Sequence, residues 1–246
     1  ITLQALGRMN DAEESFKKAI WMKPDFSEAY FNLGITLQTL FRHGEAEENY
    51  KKAIAYNPDR AEAYFNLGIT LQTLGKPEEA EQSFKKAIVI QPQHLKAHLN
   101  LGITIQSLGR FVEAEEIFNK AIVIKPDDAE THYNLGNTLI NLGSVIKAEA
   151  SYQQAIALKP DYAEAYSNKG ATLNELKRYD EAITHYDQAL SLKPDIDWVF
   201  GDLLHTKMKI CSWTSLAESL EIISKKVMAN EKVITPFPLL ALNDDP

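Results

Sequence analysis

The chain has 246 residues, 45% of them hydrophobic and 24% charged, with 26 basic against 34 acidic side chains and a formal net charge of −8. That acidic balance argues against nucleic acid and anionic membrane as main partners, and no apolar run approaches the roughly 18 residues of a membrane span. The single cysteine, Cys211, cannot close an internal disulfide, which fits a reducing, cytoplasmic compartment.

The chain opens inside a pattern already under way. Residues 1–26 carry Ala12, Phe16, Ala19 and Pro24 in the same register as the later units. Residues 27–40 then read SEAYFNLGITLQTL, and residues 61–74 read AEAYFNLGITLQTL, with thirteen of fourteen positions identical and a spacing of 34. The same phrase returns at 95–108, 129–142 and 163–176, so that Gly34, Gly68, Gly102, Gly136 and Gly170 form one column. Further columns run through each unit: Ala46, Tyr50, Ala53 and Pro58 in the first, Ala182, Tyr186, Ala189 and Pro194 in the last. This is the 34-residue helix–turn–helix of the tetratricopeptide pattern. Five complete units are expected, at 27–60, 61–94, 95–128, 129–162 and 163–196, after a partial unit at 1–26. The expected fold is all-α, a tetratricopeptide-repeat right-handed superhelix, or α-solenoid, in which stacked neighbours supply the core that one helix pair lacks.

Within a unit, Tyr30, Leu33, Gly34 and Leu37 make one face of helix A, and Ala46, Tyr50 and Ala53 one face of helix B. A glycine inside a helix costs about 1 kcal/mol relative to alanine, so the glycine column needs a compensating benefit. The expected benefit is close backbone approach, with Gly34 opposite Ala46 and Ala53. Asp59 to Glu62 and Asp161 to Glu164 read as N-cap aspartates with a glutamate three residues on. His98 and His132 take the tyrosine position and read as core. Phe31, Phe65, Leu99 and Tyr133 read as packing between repeats, and the threonines from Thr36 to Thr172 as helix-flank spacers.

The core does not account for the asparagines. Asn32, Asn66, Asn100, Asn134 and Asn168 each stand two residues before the glycine and point away from helix B. An amide offers two donors and two acceptor lone pairs, which suits the N–H and C=O of an extended peptide whatever its side chains. These five are the candidate peptide-binding residues. The alternative is a hydrogen bond to the neighbouring repeat that sets the superhelical pitch. The lysine and arginine pattern with which chaperone-binding modules clamp a C-terminal carboxylate is lacking, since only Lys96 is basic there. No nucleotide loop, zinc motif or nucleophile elbow occurs, so no catalytic residue, cofactor or metal is expected.

After Pro194 the register continues with larger residues. Leu204 takes the glycine position, so residues 197–228 read as a degenerate capping helix pair and 229–246 as an extended connector. The stretch DWVFGDLLHTKMKICSWTSLAESLEII, with PFPLLALNDDP after it, resembles the junction between repeats and catalytic region in O-linked N-acetylglucosaminyltransferases, bacterial members above all. Cys211–Ser212–Trp213 has serine where that family often has aspartate. The resemblance implies a non-catalytic arm that recruits protein substrates to a sugar-transferring domain beyond this chain, and it places the family's asparagine ladder on the five asparagines above. A free-standing scaffold is the alternative. Self-association is expected through ends lacking a neighbour, around Leu3, Leu6, Phe16 and Ile20, or around Phe237, Leu239 and Leu240.

Overall fold

Alternating helix-forming segments, each closed by a turn signal, give twelve helices and no strand among the described residues. The computed structural model describes residues 8–212 and, beyond them, residues 218, 221, 222, 225 and 232. The expected surfaces at Leu3, Leu6, Phe237, Leu239 and Leu240, the connector apart from Lys232, and the pairing of Leu204 with a second capping helix lie outside the described residues.

Two compact units divide the chain. Unit 1, Ile1–Pro126, holds α1 (Met9–Met22), α2 (Ser27–Thr39), α3 (His43–Tyr56), α4 (Ala61–Thr73), α5 (Pro77–Ile90), α6 (Leu95–Ser107) and α7 (Phe111–Ile124). Unit 2, Asp127–Pro246, holds α8 (Ala129–Asn141), α9 (Val145–Leu158), α10 (Ala163–Glu175), α11 (Tyr179–Leu192) and α12 (Val199–Lys209). In both units each A helix packs on the B helix of its own repeat, and each B helix on the next A helix of that unit.

The turns explain the spacing. Each A helix ends on a residue with positive φ at one position of the repeat: Phe41, Gly75, Gly109, Gly143, Lys177 and Cys211. The N–H of the residue after it reaches back to the last turn of the helix, as Arg42 to the Leu37 carbonyl at 2.9 Å and Arg178 to Leu173 at 2.9 Å, which closes the helix C-terminus. Each B helix ends two residues before its proline. The residue between is extended, as the proline after it favours, at Lys23, Lys125 and Lys193.

The glycine column serves a different contact from the one expected. A Cβ built on Gly34 would stand 2.7 Å from the Tyr50 ring, and on Gly68, Gly102 and Gly136 it would stand 2.5 Å from Phe84, Phe118 and Tyr152. The glycine therefore makes room for an aromatic side chain of helix B, not for an alanine. Tyr50, Phe84, Phe118, Tyr152 and Tyr186 are at most 1% exposed, so their rings have little room to move aside.

The capping expectation also needs correcting. Arg60 and Tyr162, not Asp59 and Asp161, are the N-cap residues of α4 and α10, and neither helix has a side-chain cap bond. The helix starts one residue later than the acid requires. In the repeat where an acid falls at that later position, it does cap: Asp128 Oδ2 accepts from the Thr131 backbone N–H at 3.0 Å and from its hydroxyl at 2.7 Å. Glu164 bonds elsewhere, to Lys193 at 3.2 Å, and Glu28, at the same position of its own repeat, pairs with Arg60, whose guanidinium also lies 3.7 Å over the Phe31 ring.

A buried row of glutamates ties successive repeats. Glu13 accepts from Lys17 of its own helix at 2.6 Å and from Arg42 of the next repeat at 2.7 Å. Glu47 does the same with Lys51 and Lys76, and Glu81 with Lys85 and Arg110. Hydrogen bonds from Lys17, Lys51 and Arg110 respectively lead in holding these carboxyls below the ordinary range, against the upward push of burial.

Candidate peptide-binding face

The A helices of each unit lie side by side, α2 by α4 by α6 and α8 by α10 by α12. In each unit these helices share a face, which carries Asn32, Asn66 and Asn100 in unit 1 and Asn134 and Asn168 in unit 2. Four residues on, each asparagine is followed by a buried threonine: Thr36, Thr70, Thr104, Thr138 and Thr172 are at most 1% exposed. Each threonine hydroxyl donates to the backbone carbonyl of the asparagine, at 2.7–2.9 Å. These threonines are anchors beneath the face rather than spacers. Gln72 Nε2 adds a bond between repeats to the Thr104 hydroxyl at 2.7 Å.

The five asparagines are not equivalent. Asn32 is buried at 7% exposure, and its amide donates to the Glu28 backbone and carboxylate at 2.8 and 3.0 Å. Arg60 first, then Asn32, hold the Glu28 carboxyl below its ordinary value. Asn66, Asn100 and Asn134 are half-buried. Asn100 and Asn134 turn one amide hydrogen back to the Lys96 and Glu130 carbonyls, both at 2.9 Å, so the second hydrogen and the amide oxygen are available to a ligand. Asn168 is tied to the preceding repeat. Its amide donates to Asn137 Oδ1 at 2.8 Å and to the Tyr133 hydroxyl at 3.3 Å, and the Tyr152 hydroxyl donates to the same Asn137 oxygen at 2.8 Å. At Asn168 the inter-repeat alternative therefore describes what the side chain does.

Ring residues beside the face belong to the packing. Phe65 lies between Phe84 and His94, and Tyr133 between Tyr152 and Tyr162, with centroids 4.8–6.0 Å apart. His98 is buried, and that burial lowers its pKa. His132 is half-buried.

Two features escaped the sequence reading. Asp202 and Thr206 continue the asparagine and threonine columns into α12, where the Thr206 hydroxyl donates to the Asp202 carbonyl at 2.7 Å. The signal was the unbroken spacing of 34. Lys169 occupies the column held elsewhere by Leu33, Leu67, Leu101 and Leu135, is 7% exposed, and donates to Gln153. Burial lowers its pKa. Among the described residues no group of His, Cys, Asp or Glu could hold a metal ion, and no helix is long and apolar enough to cross a membrane.

Hairpins of two helices, stacked through small and aromatic columns and presenting a polar face on every A helix, define an α-helical repeat protein of the kind that binds other proteins. The chain belongs to the tetratricopeptide-repeat family. The family model described as tetratricopeptide repeat matches residues 61–94, 129–162 and 163–196, and a second, described as TPR repeat, matches 42–75 and 106–143. No curated protein matches. Among solved structures, the chain is similar to YrrB, described as a TPR protein with an unusual peptide-binding site, at 24% identity and a TM-score of 0.67, over 80% of this chain and 99% of that one. It is similar to MamA at 26% identity and 0.63, over 66% and 95%, and to PilF of Pseudomonas aeruginosa at 17% and 0.71, over 81% and 90%.

Proposed function

We propose that the A-helix face binds extended polypeptide through its asparagines, reading the ligand backbone rather than its side chains. The observation that carries this reading is the column itself. Asn66, Asn100 and Asn134 recur at one solvent-facing position that the core does not require, each with its backbone carbonyl fixed from below by a buried threonine. An extended chain presents the same N–H and C=O groups at regular intervals, so within unit 1 the amides of Asn66 and Asn100, one repeat apart, match it, and Asn134 offers the same group in unit 2. YrrB, whose described role includes a peptide-binding site, has the same fold and supports the reading by analogy.

The experiment replaces Asn66, Asn100 and Asn134 together with alanine and measures binding of an extended, uncharged peptide by fluorescence anisotropy. At about 0.5–1.5 kcal/mol per bond, affinity falls by about tenfold or more, while the melting temperature stays within about 2 °C of the parent. Unchanged affinity refutes the reading. A drop of many degrees in melting temperature assigns the asparagines to repeat cohesion instead.

The finer reading makes this face the substrate-recruiting arm of a protein O-linked N-acetylglucosaminyltransferase-like enzyme. It rests on the resemblance of residues 198–246, most of whose second half lies outside the described residues. A specific observation favours a second reading, a free-standing scaffold: the chain aligns over 99% of YrrB and 95% of MamA. The encoded sequence after Pro246 distinguishes them. A sugar-transferring domain there supports the arm, and a stop codon supports the scaffold.

A further inference from the structure

The two units differ in what stands beside their asparagines. In unit 2, Asn137 accepts from the Asn168 amide at 2.8 Å, so this position of one repeat lies against the asparagine of the next. In unit 1 the same position holds Ile35 and Ile69, beside Asn66 and Asn100, and then Ile103. All three isoleucines are half-buried, so each leaves apolar surface open on the face. An isoleucine offers no acceptor, so it does not draw the neighbouring amide away as Asn137 does. One turn further on, Thr39, Thr73 and Ser107 are exposed. The Thr39 and Thr73 hydroxyls donate to the Ile35 and Ile69 carbonyls at 2.9 and 3.1 Å, and the Ser107 hydroxyl to the Thr104 carbonyl at 2.7 Å, which turns their hydrogens inward.

The band of isoleucine, threonine and asparagine on unit 1 is also uncharged. Apart from the buried His98, which burial holds towards neutrality, α2, α4 and α6 carry one formal charge each. All three charges stand in the first turn, at Glu28, Glu62 and Lys96, and Glu28 is already paired with Arg60. In unit 2 the positions of Thr39 and Thr73 hold Glu175 in α10 and Lys209 in α12.

An aliphatic ligand side chain laid against these isoleucines removes apolar surface from water on both partners. The water it displaces also leaves the neighbouring amides in a lower dielectric, where their hydrogen bonds are stronger. A charged ligand side chain of either sign would lose hydration there and meet no opposite charge. We propose that unit 1 selects extended segments rich in valine and isoleucine and free of charge, with Ile35 and Ile69 as the specificity residues beside the amides of Asn66 and Asn100. The amides hold the backbone, and the isoleucines choose the side chains. β-Branched residues suit the site twice, because they also favour the extended backbone that the amides need. The apolar band is continuous with the asparagine face, and this inference rests on the peptide-binding reading above.

The test uses the full chain and labelled peptides of one length: a Ser/Gly host, and versions in which Val, Lys or Glu replaces the serines. In anisotropy titrations the Val peptides are expected to bind about tenfold more tightly than the host, the effect of removing roughly 55 Å² of apolar surface from water. The Lys and Glu peptides both bind more weakly than the host. In I35A/I69A, which places at both sites the residue that α10 carries at Ala171, the Val-to-host ratio falls to about twofold or less. N66A/N100A, which tests the face reading separately, weakens Val and host peptides alike. Val peptides no tighter than the host, Lys or Glu peptides as tight as the host, or a ratio that survives in I35A/I69A overturns the inference and leaves the asparagine face standing. The peptide comparisons on the unaltered chain decide the matter even where the double variant does not fold. If no peptide binds, the face reading falls and this inference with it.

Discussion

Replacing Gly68 with alanine sets two opposed effects of known size against each other. Alanine in a helix interior is favoured over glycine by about 1 kcal/mol. The new Cβ would lie 2.5 Å from the Phe84 ring, a separation that real Cβ atoms do not tolerate, and Phe84 is fully buried. Forcing a methyl into such a packed site costs about 1–3 kcal/mol. With the ring hemmed in on all sides the upper part of that range applies, so the net effect is a loss of about 2 kcal/mol, or roughly 4–8 °C in melting temperature at this chain length. Gly44, in the first turn of α3, has no heavy atom within 4 Å of its would-be Cβ. Gly44→Ala collects the propensity term alone and stabilises by up to about 1 kcal/mol. Urea titrations of both variants, with the double variant Gly68→Ala, Phe84→Leu as a coupling test, separate the terms. If Gly68→Ala stabilises as Gly44→Ala does, the glycine does not exist to admit the ring, and the packing argument is wrong.

Phe41 holds φ at 59° and is 84% exposed, while the same turn position carries glycine at 75, 109 and 143. Phe41→Gly should stabilise by about 1 kcal/mol, read as a higher urea midpoint, because the left-handed conformation strains any residue with a Cβ. Lys169→Leu restores the column of Leu33, Leu67, Leu101 and Leu135 and should stabilise by about 1 kcal/mol at neutral pH. The folded-state pKa of Lys169 is lowered, so its protonated form costs stability below that value, and the cost fades as pH rises towards the unfolded lysine pKa of about 10.4. The advantage of Lys169→Leu should therefore shrink as the pH of the melts is raised towards about 10.4, and an advantage that grows with pH would contradict it.

The sequence shows the register plainly because every core position recurs every 34 residues, and such periodicity is independent of how neighbours meet. It is less informative about partners. The glycine–aromatic contact was missed because Gly34 and Tyr50 are 16 residues apart, on different helices, while small alanines in the same helix B offered an equally plausible match. The capping error came from a shift of one residue: Asp59 and Asp128 stand in equivalent turns one position apart in register, and only Asp128 reaches the helix N–H groups. For the candidate face, the asparagine positions were legible, but their inequality was not. Whether an amide turns to its own helix, as at Asn100, or to the preceding repeat, as at Asn168, depends on the residue that the preceding repeat places beside it, isoleucine at Ile69 and asparagine at Asn137.

That neighbouring position sharpens the case for the face. In α2, α4 and α6 the next two outward positions hold isoleucine and a hydroxyl residue (Ile35 and Thr39, Ile69 and Thr73, Ile103 and Ser107), and they then change to Asn137 and Asn141 in α8, Ala171 and Glu175 in α10, and His205 and Lys209 in α12. Neither packing nor helix propensity prevents those changes, and neither would prevent a change at the asparagine beside them. Asparagine is in fact a poor choice for a helix interior, less favourable than alanine by roughly 0.7 kcal/mol. A residue that is locally unfavourable, is not needed by the core, and persists through five repeats while its outward neighbours vary is best explained by a contact that recurs with the repeat. At Asn168 that contact is a neighbouring repeat's side chain, and at Asn32 it includes the Glu28 carboxylate; at Asn100 and Asn134 the amide bonds the backbone of its own helix, the state that the proposed peptide ligand requires.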